Sequence, residues 1–348
     1  MINLFKLSKD DVIKRIVTAG FPAFRGKQLL DWVYNKNIVE IESMSNLDKG
    51  FKEYLNSNIK LLTLDTIKII EDDKGETIKF LLLLGDRNTI EMVIMRYKDK
   101  DASKNRNTLC LSSQVGCKVK CPFCATGTSG LVRNLKAEEI VQQMSIANTY
   151  LKQYDAKVNN VVFMGMGEPF YNKDEVLLAA SLIKENFEIS SRKITISTSG
   201  IIEGIKELAD KELKYVLAIS LHAPTDRVRD YLVPINKKYP LNELMKACRY
   251  YQTKTKKRIT FEYIMIDSMN IWPDDARNLA NLLKGIDCHI NGIPVNSIKD
   301  SEFKRPKKKD IYTFKKLCED YGLSFSIREE KGIDIDGACG QLRNKERN

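Results

Sequence analysis

The sequence predicts an α/β protein. A parallel sheet of βα units, arranged as a barrel, follows a small helical unit and a short β-rich stretch. Three observations carry this expectation. From about residue 107, apolar runs of strand length alternate with segments of helical periodicity. Glycine-, cysteine- and hydroxyl-rich segments follow the C-terminal ends of those runs, where α/β barrels place their sites. The first hundred residues keep a different rhythm, helical to about 58 and strand-like after it.

Within residues 1–58, Ser8 is placed to cap a helix carrying Val12, Ile13, Ile16 and Val17. Leu29, Leu30, Trp32 and Val33 mark a second apolar helical face, with Phe24-Arg25-Gly26-Lys27-Gln28 read as a basic turn between them. Residues 59–98 form a connecting region with strands over 61–70, 77–84 and 89–95, separated by Asp73-Lys74-Gly75 and Gly85-Asp86. The core is expected over 99–333. Its strands are predicted at 108–112, 160–164, 193–197, 215–220, 259–266, 289–295 and 323–327, with helices such as 137–151, 175–185 and 310–320 in the gaps. Residues 334–348 form a C-terminal segment.

The 348 residues are 43% hydrophobic and 30% charged, the balance of a soluble chain with a sizeable core. The longest apolar runs are too short to span a bilayer, so no membrane partner is expected. Met1 to Asp10 lack the apolar stretch of a secretory leader. Eight cysteines without that context point to a reducing cytoplasm, where thiols act as ligands or in redox steps. The net charge of +11 favours a polyanionic partner. The clusters 254–258 and 304–309 read equally as phosphate contacts or as solvated faces.

Gly116-Cys117-Lys118-Val119-Lys120-Cys121-Pro122-Phe123-Cys124 sets three cysteines in a C-x3-C-x2-C pattern. Three thiolates suit a 4Fe-4S cluster with one iron left open, since full ligation takes four. A zinc knuckle or a set of buried thiols is the alternative; zinc ordinarily takes four ligands, often as paired C-x2-C, and no second pair follows. The next strand ends in Met164-Gly165-Met166-Gly167-Glu168-Pro169, where glycines allow close backbone approach and Glu168 can accept from an ammonium. Later strands end in Ser197-Thr198-Ser199-Gly200, Ser220-Leu221-His222-Ala223-Pro224 and Pro294-Val295-Asn296. His222 reads equally as a satisfied structural histidine. With His289 the only other histidine, a His-based hydrolase or His-rich metal site has little material. Cys110 lies on the first core strand, and Cys339 lies in the glycine-flanked Gly337-Ala338-Cys339-Gly340. Each could also be an inert thiol.

Taken together, residues 108–117, Gly165 to Pro169, Ser220 to Pro224, Leu232-Val233-Pro234-Ile235-Asn236-Lys237-Lys238-Tyr239-Pro240 and Ala338-Cys339-Gly340-Gln341-Leu342 resemble the radical S-adenosylmethionine (SAM) family that methylates adenine in ribosomal RNA. That family includes dual-specificity 23S rRNA/tRNA carbon-2 methyltransferases and carbon-8 methyltransferases that confer antibiotic resistance. The Ser-Leu-His-Ala-Pro and Pro-Ile-Asn-Lys-Lys-Tyr-Pro forms favour the carbon-2 branch. The resemblance implies a partial (β/α)6 radical SAM barrel, a 4Fe-4S cluster on Cys117, Cys121 and Cys124, and SAM contacts from Gly167, Glu168, Ser197, Ser220, Leu221, His222 and Asn296. It implies 23S rRNA and tRNA as substrates, an electron donor such as flavodoxin or ferredoxin, and a monomer.

The resemblance also implies a mechanism with two SAM per turnover. Cys339 takes a methyl group from the first. The second is spent in removing hydrogen from that methyl, whose carbon then joins the adenine. Cys110 attacks the sulfur of Cys339, releasing the product and leaving a transient disulfide. A proton-accepting role is implied for Glu91, which reads equally as a strand-surface carboxylate; Cys110 could take that proton itself. Three other readings make distinct predictions. A carbon-8 methyltransferase would differ in product position. A non-catalytic iron–sulfur or zinc RNA-binding protein would not need Cys110 or Cys339. An enzyme that makes a glycyl radical on a partner protein would need neither Cys339 nor a basic surface.

Overall fold

The structure, a computed structural model, describes residues 1–296, 301–328 and 331–342. Ten strands form one open sheet in which chain order and spatial order coincide. They are β1 (Asp65–Glu71), β2 (Thr77–Leu83), β3 (Thr89–Tyr97), β4 (Arg106–Cys110), β5 (Asn160–Phe163), β6 (Ile194–Thr198), β7 (Val216–Ser220), β8 (Ile259–Met265), β9 (Cys288–Pro294) and β10 (Phe325–Ile327). β4 to β10 are parallel and β1 to β4 antiparallel. Helices link the parallel strands in six βα units that end on β10, and β10 does not pair with β4. This is the partial barrel expected. The strands of the connecting region extend its sheet, since β3 pairs β4 from Val93–Cys110 to Tyr97–Arg106.

β2 shows how the extension is held. Ile78, Phe80 and Leu82 face the main core, where Phe80 meets Tyr150 of the helix Ala137–Leu151 edge-on at 5.1 Å. The alternate residues Thr77 and Lys79 face the C-terminal segment, where Lys79 Nζ donates to the Asp336 carbonyl at 3.3 Å. Both faces are thereby covered, and the strand is buried almost throughout.

At the N-terminus Ser8 caps the helix Lys9–Thr18, accepting from the Asp11 N–H at 3.1 Å. The basic turn expected at Phe24 to Gln28 is instead part of a helix, Ala23–Leu30. Gly26 is there for space: a Cβ on it would lie 3.1 Å from Ile13 Cα, so the two helices cross at close range. Asn186 ties this unit to the barrel, donating to the Leu7 carbonyl and the Tyr34 hydroxyl. One apolar core runs through both parts. Among the described residues no helix is long and apolar enough to cross a membrane.

Candidate active site

The cysteine loop hangs from a hairpin that the sequence did not announce. Gln114–Gly116 pairs with Leu131–Asn134, and residues 117–130 form its tip. The Cys117 N–H donates to the Gly130 carbonyl (2.9 Å) and the Cys124 N–H to the Cys121 carbonyl (3.1 Å). Cys117, Cys121 and Cys124 are half-buried and line one cavity. Burial pushes the Cys117 thiol up to about 12 and that of Cys121 well above its ordinary value; neighbouring thiols add to both shifts. Metal coordination would reverse that by displacing the proton.

The strand ends form the other walls. The Gly167 backbone has φ +109°, and a Cβ there would lie 2.6 Å from the Gln114 side chain. Packing against the cysteine hairpin therefore demands glycine, whatever binds above it. Glu168 is buried and accepts from the Phe170 N–H (3.0 Å), the Ser199 N–H (2.7 Å) and the Ser199 hydroxyl (2.8 Å). Burial raises its pKa and those donors oppose the rise. Ser197, Ser220 and His222 line the cavity. His222 is held at φ +64°. Its Nδ1 accepts from the Ile264 N–H at 3.0 Å and its carbonyl from Asn270 Nδ2 at 2.8 Å. Burial lowers its pKa to about 3, with Arg229 adding to the effect, so the ring is neutral with its proton on Nε2. The Phe123 ring meets it edge-on at 5.0 Å. Leu221 points into the core, and its backbone links β8 to Arg229 through the Glu262 carbonyl and its own.

Cys339 reaches the same cavity from the C-terminal segment, and its exposed surface opens into that cavity. The segment is fastened to the cysteine loop: the Ala125 N–H donates to the Gly340 carbonyl (2.7 Å) and Thr126 Oγ1 to the Leu342 carbonyl (2.6 Å). Cys339 also lines a second, smaller cavity together with Cys110, Asn296 and Arg328. Asn296 Nδ2 donates to the Cys339 carbonyl at 3.3 Å, while its Oδ1 is buried without a partner. Burial raises both thiols, Cys110 to about 12; the Cys339 charge raises Cys110 further, and Arg328 opposes the rise in each. Glu91 lines a different groove from these thiols. It is buried beside Lys79 at 3.5 Å, in a groove formed with Asp334 and Asp336.

Three charged side chains at this site, two buried and one half-buried, escaped the sequence reading. Arg229, fully buried, donates to the carbonyls of Ser199, Ser220 and Leu221 and to Asn236 Oδ1, clamping the ends of β6 and β7. In sequence it looks like any helix-surface arginine. Arg328 has the sulfurs of Met95 and Met164 as its side-chain hydrogen-bond partners. Glu262 lies on the cavity wall with Oε2 unpartnered and Oε1 accepting from Asn291 Nδ2. A carboxylate inside the apolar run of β8 was the signal available.

This geometry defines a class: a partial barrel whose strand ends surround a three-cysteine loop. The Radical SAM superfamily model matches residues 111–283, and the model of the ribosomal RNA large subunit methyltransferase N-terminal domain matches residues 2–61. The chain is 43% identical to the probable dual-specificity RNA methyltransferase RlmN of Caldanaerobacter subterraneus subsp. tengcongensis, covering 99% of this chain and 98% of that protein. It is 42% identical to the protein of the same description from Clostridium perfringens strain 13, over 99% and 97%. A radical SAM methyltransferase from Sphaerobacter thermophilus has the same fold, with a TM-score of 0.94 at 39% identity over 99% and 100% of the chains. This chain is a radical SAM enzyme. It belongs to the RlmN family of RNA methyltransferases, and its cofactors are a 4Fe-4S cluster and SAM.

The residues present fit those cofactors. The three thiols of the loop share one cavity with the strand ends. A multi-iron cluster distributes its thiolates over several irons. In the same cavity, Asn296 Oδ1 and Glu262 Oε2 are buried acceptors with no donor among the described residues.

Proposed function

We propose that this chain methylates carbon 2 of an adenine in 23S rRNA, and of one in tRNA, through a methyl group carried on Cys339. The observation that carries this reading is the position of Cys339, which lines the cavity of the cysteine loop and also the cavity of Cys110. Cys117, Cys121 and Cys124 are assigned as cluster ligands. Gly167, Glu168, Ser197, Ser220, Leu221, His222 and Asn296 are assigned to the SAM wall. When bound, these cofactors supply the methyl group and the one-electron chemistry that makes its carbon reactive toward an electron-poor ring.

The protein's own part divides between two thiols. Cys339 loses its proton, favoured by Arg328, and its sulfur would bond the methyl carbon as that carbon's bond to the sulfonium sulfur of SAM breaks, the demethylated donor leaving as a neutral thioether. Once that carbon is joined to the ring, the Cys110 thiolate attacks the Cys339 sulfur. An S–S bond forms and the C–S bond breaks, its electron pair passing to the carbon, which takes a proton. Two electrons from a cellular thiol reductant then restore both cysteines. The ring proton falls to Cys110, which shares the cavity and gives that proton up to the released carbon as its sulfur attacks; Glu91, paired with Lys79 in the neighbouring groove, is the second base to test.

Residues 1–58 are assigned to RNA contact, 59–98 to the connection, 99–333 to the catalytic core and 334–348 to delivery of Cys339. Residues 343–348 lie outside the described structure. A flavodoxin or ferredoxin is the expected electron donor and a monomer the expected state. All eight cysteines stand free, in keeping with a cytoplasmic setting. The test is anaerobic reconstitution with rRNA and tRNA fragments, followed by mapping of the methylated atom. Methyl on adenine carbon 2 is expected; methyl on carbon 8 would contradict the reading.

A further inference from the structure

A second concave surface lies on the rim of the same barrel mouth. It is formed by the segments that follow β7 and β8, and is lined by Arg227, Val228, Tyr231, Met269, Trp272 and Asp274, among others. Two of these are large exposed aromatics: Trp272 is 55% and Tyr231 45% accessible, Tyr231 being held by its hydroxyl on Glu302 and by the Phe303 ring at 6.0 Å. They come from different βα units yet border one groove. Exposed aromatics scattered singly need no explanation, but two facing one concavity do.

The groove is tied to the catalytic cavity in two ways. Val228 and Met269, on its inner wall, pack against the small apolar cluster that also holds Cys117, Cys121 and Phe123. Asn270, next to Met269, donates to the carbonyl of His222 and of Ile264, both of which line the catalytic cavity. Groove and active site are therefore joined through Val228, Met269 and Asn270.

Its charges are suited to a base more than to a bare phosphate. The backbone N–H of Trp272 donates to the Asp275 carboxylate at 3.0 Å, and Asp274 pairs with Arg277 at 2.9 Å. Those carboxylates close the helix N-terminus at Pro273 to an anion. Arg227 lines the same groove and is exposed; it forms no ion pair among the described residues, although its charge acts on Asp275. Aromatic walls with an adjacent arginine are the chemistry that holds unstacked bases of single-stranded nucleic acid.

We infer that this groove is a stacking platform for a second unpaired nucleotide of the RNA substrate, flanking the one that reacts. The inference rests on the chain's acting on RNA. An adenine can enter the barrel only if it is flipped out of its stack, and that leaves a neighbour without its partner. Stacking that neighbour on Trp272 and Tyr231 would hold the strand open at the mouth. It would also favour loops over duplexes.

The chain has two tryptophans, and Trp32 is buried, so Trp272 reports on the groove directly. A fluorescein-labelled single-stranded RNA of about 12 nucleotides is titrated with reconstituted wild type and variants over a range of salt, affinity being read from the RNA's anisotropy and Trp272 emission being followed in the wild type alone. Wild-type emission should be quenched saturably. Trp272→Ala should weaken binding by about 5- to 100-fold at every salt concentration, the loss of one stacked base. The slope of affinity against salt should stay unchanged, because no phosphate contact is lost. Trp272→Phe should recover most of the affinity. Salt-dependent RNA binding that is equal in Trp272→Ala and wild type would overturn the platform and leave the RNA methyltransferase reading intact. Wild-type protein that binds no RNA would overturn both. Emission that responds to a flavodoxin and not to RNA would also overturn the platform, marking the groove as a docking face for the electron donor.

Discussion

Arg328 is the residue whose position demands most explanation. A guanidinium drawn half out of water is costly unless a negative group offsets it, and two thioether sulfurs are weak acceptors. The charges that support its protonated state are, in order, Cys339, Glu262, Tyr97 and Cys110. The reverse follows: Arg328 works against the burial that would keep the Cys339 thiol protonated. In cluster-free protein, alkylation of the Cys339 peptide by iodoacetamide should rise with pH as the thiolate forms. Arg328→Met should move that profile to higher pH. At a given pH below the midpoint, alkylation should slow by about tenfold for each pH unit the profile moves. Arg328→Lys should retain most of the wild-type rate. An unchanged profile in Arg328→Met, read by peptide mass spectrometry, would show that the guanidinium does not act on this thiol. Such a role was not legible in the sequence, where Arg328 simply follows the strand ending at Ile327. By contrast, the three loop cysteines could be read at once, because their short spacing allows little but convergence.

Among the elements, the C-terminal segment and the β1–β3 extension depend on each other. Lys331 bonds to Glu76 at 2.7 Å and to the Arg96 carbonyl at 3.2 Å, and its ammonium lies 4.7 Å from the Tyr97 ring centre. Lys79 adds its bond to the Asp336 carbonyl. The extension is thus the bed on which the Cys339 segment rests, and the cysteine loop grips the other end through Gly340 and Leu342. Glu76→Gln should loosen this bed. Amide exchange over 331–342 should quicken by about tenfold, the equivalent of ~1.4 kcal/mol of local opening, while the barrel strands keep their protection. Equal exchange in variant and wild type would mean the ion pair does not hold the segment. The existence of these elements was readable from periodicity, since β2 and β3 are apolar runs bounded by turns. Their partnership with the chain terminus was not, because it depends on contacts 235 to 257 residues apart. The cysteine hairpin was hidden for another reason: its strands are short, and Leu131–Asn134 is largely exposed. Phe24 to Gln28 misled for a third reason, because a glycine chosen for close helix crossing looks like a turn.

At the scale of the whole molecule, the fold brings together thiols that the sequence keeps far apart. Cys110 ends β4, the cysteine loop follows it, and Cys339 returns from the end of the described chain to stand between them. The open side of the partial barrel makes this possible, since β10 never closes on β4 and the chain beyond it can lie across the mouth. Sequence motifs pointed to the family and the cast of residues. The structure adds that the C-terminal thiol shares one cavity with the loop cysteines and another with Cys110. The claim that Cys339 carries the substrate and Cys110 releases it is tested most directly by the fate of bound RNA. Enzyme purified from cells as Cys110→Ala should carry RNA covalently attached through Cys339, seen as a nuclease-sensitive shift in gel mobility. Cys339→Ala and the double variant should carry none. A Cys110→Ala protein that turned over normally and carried no RNA would contradict the two-thiol account.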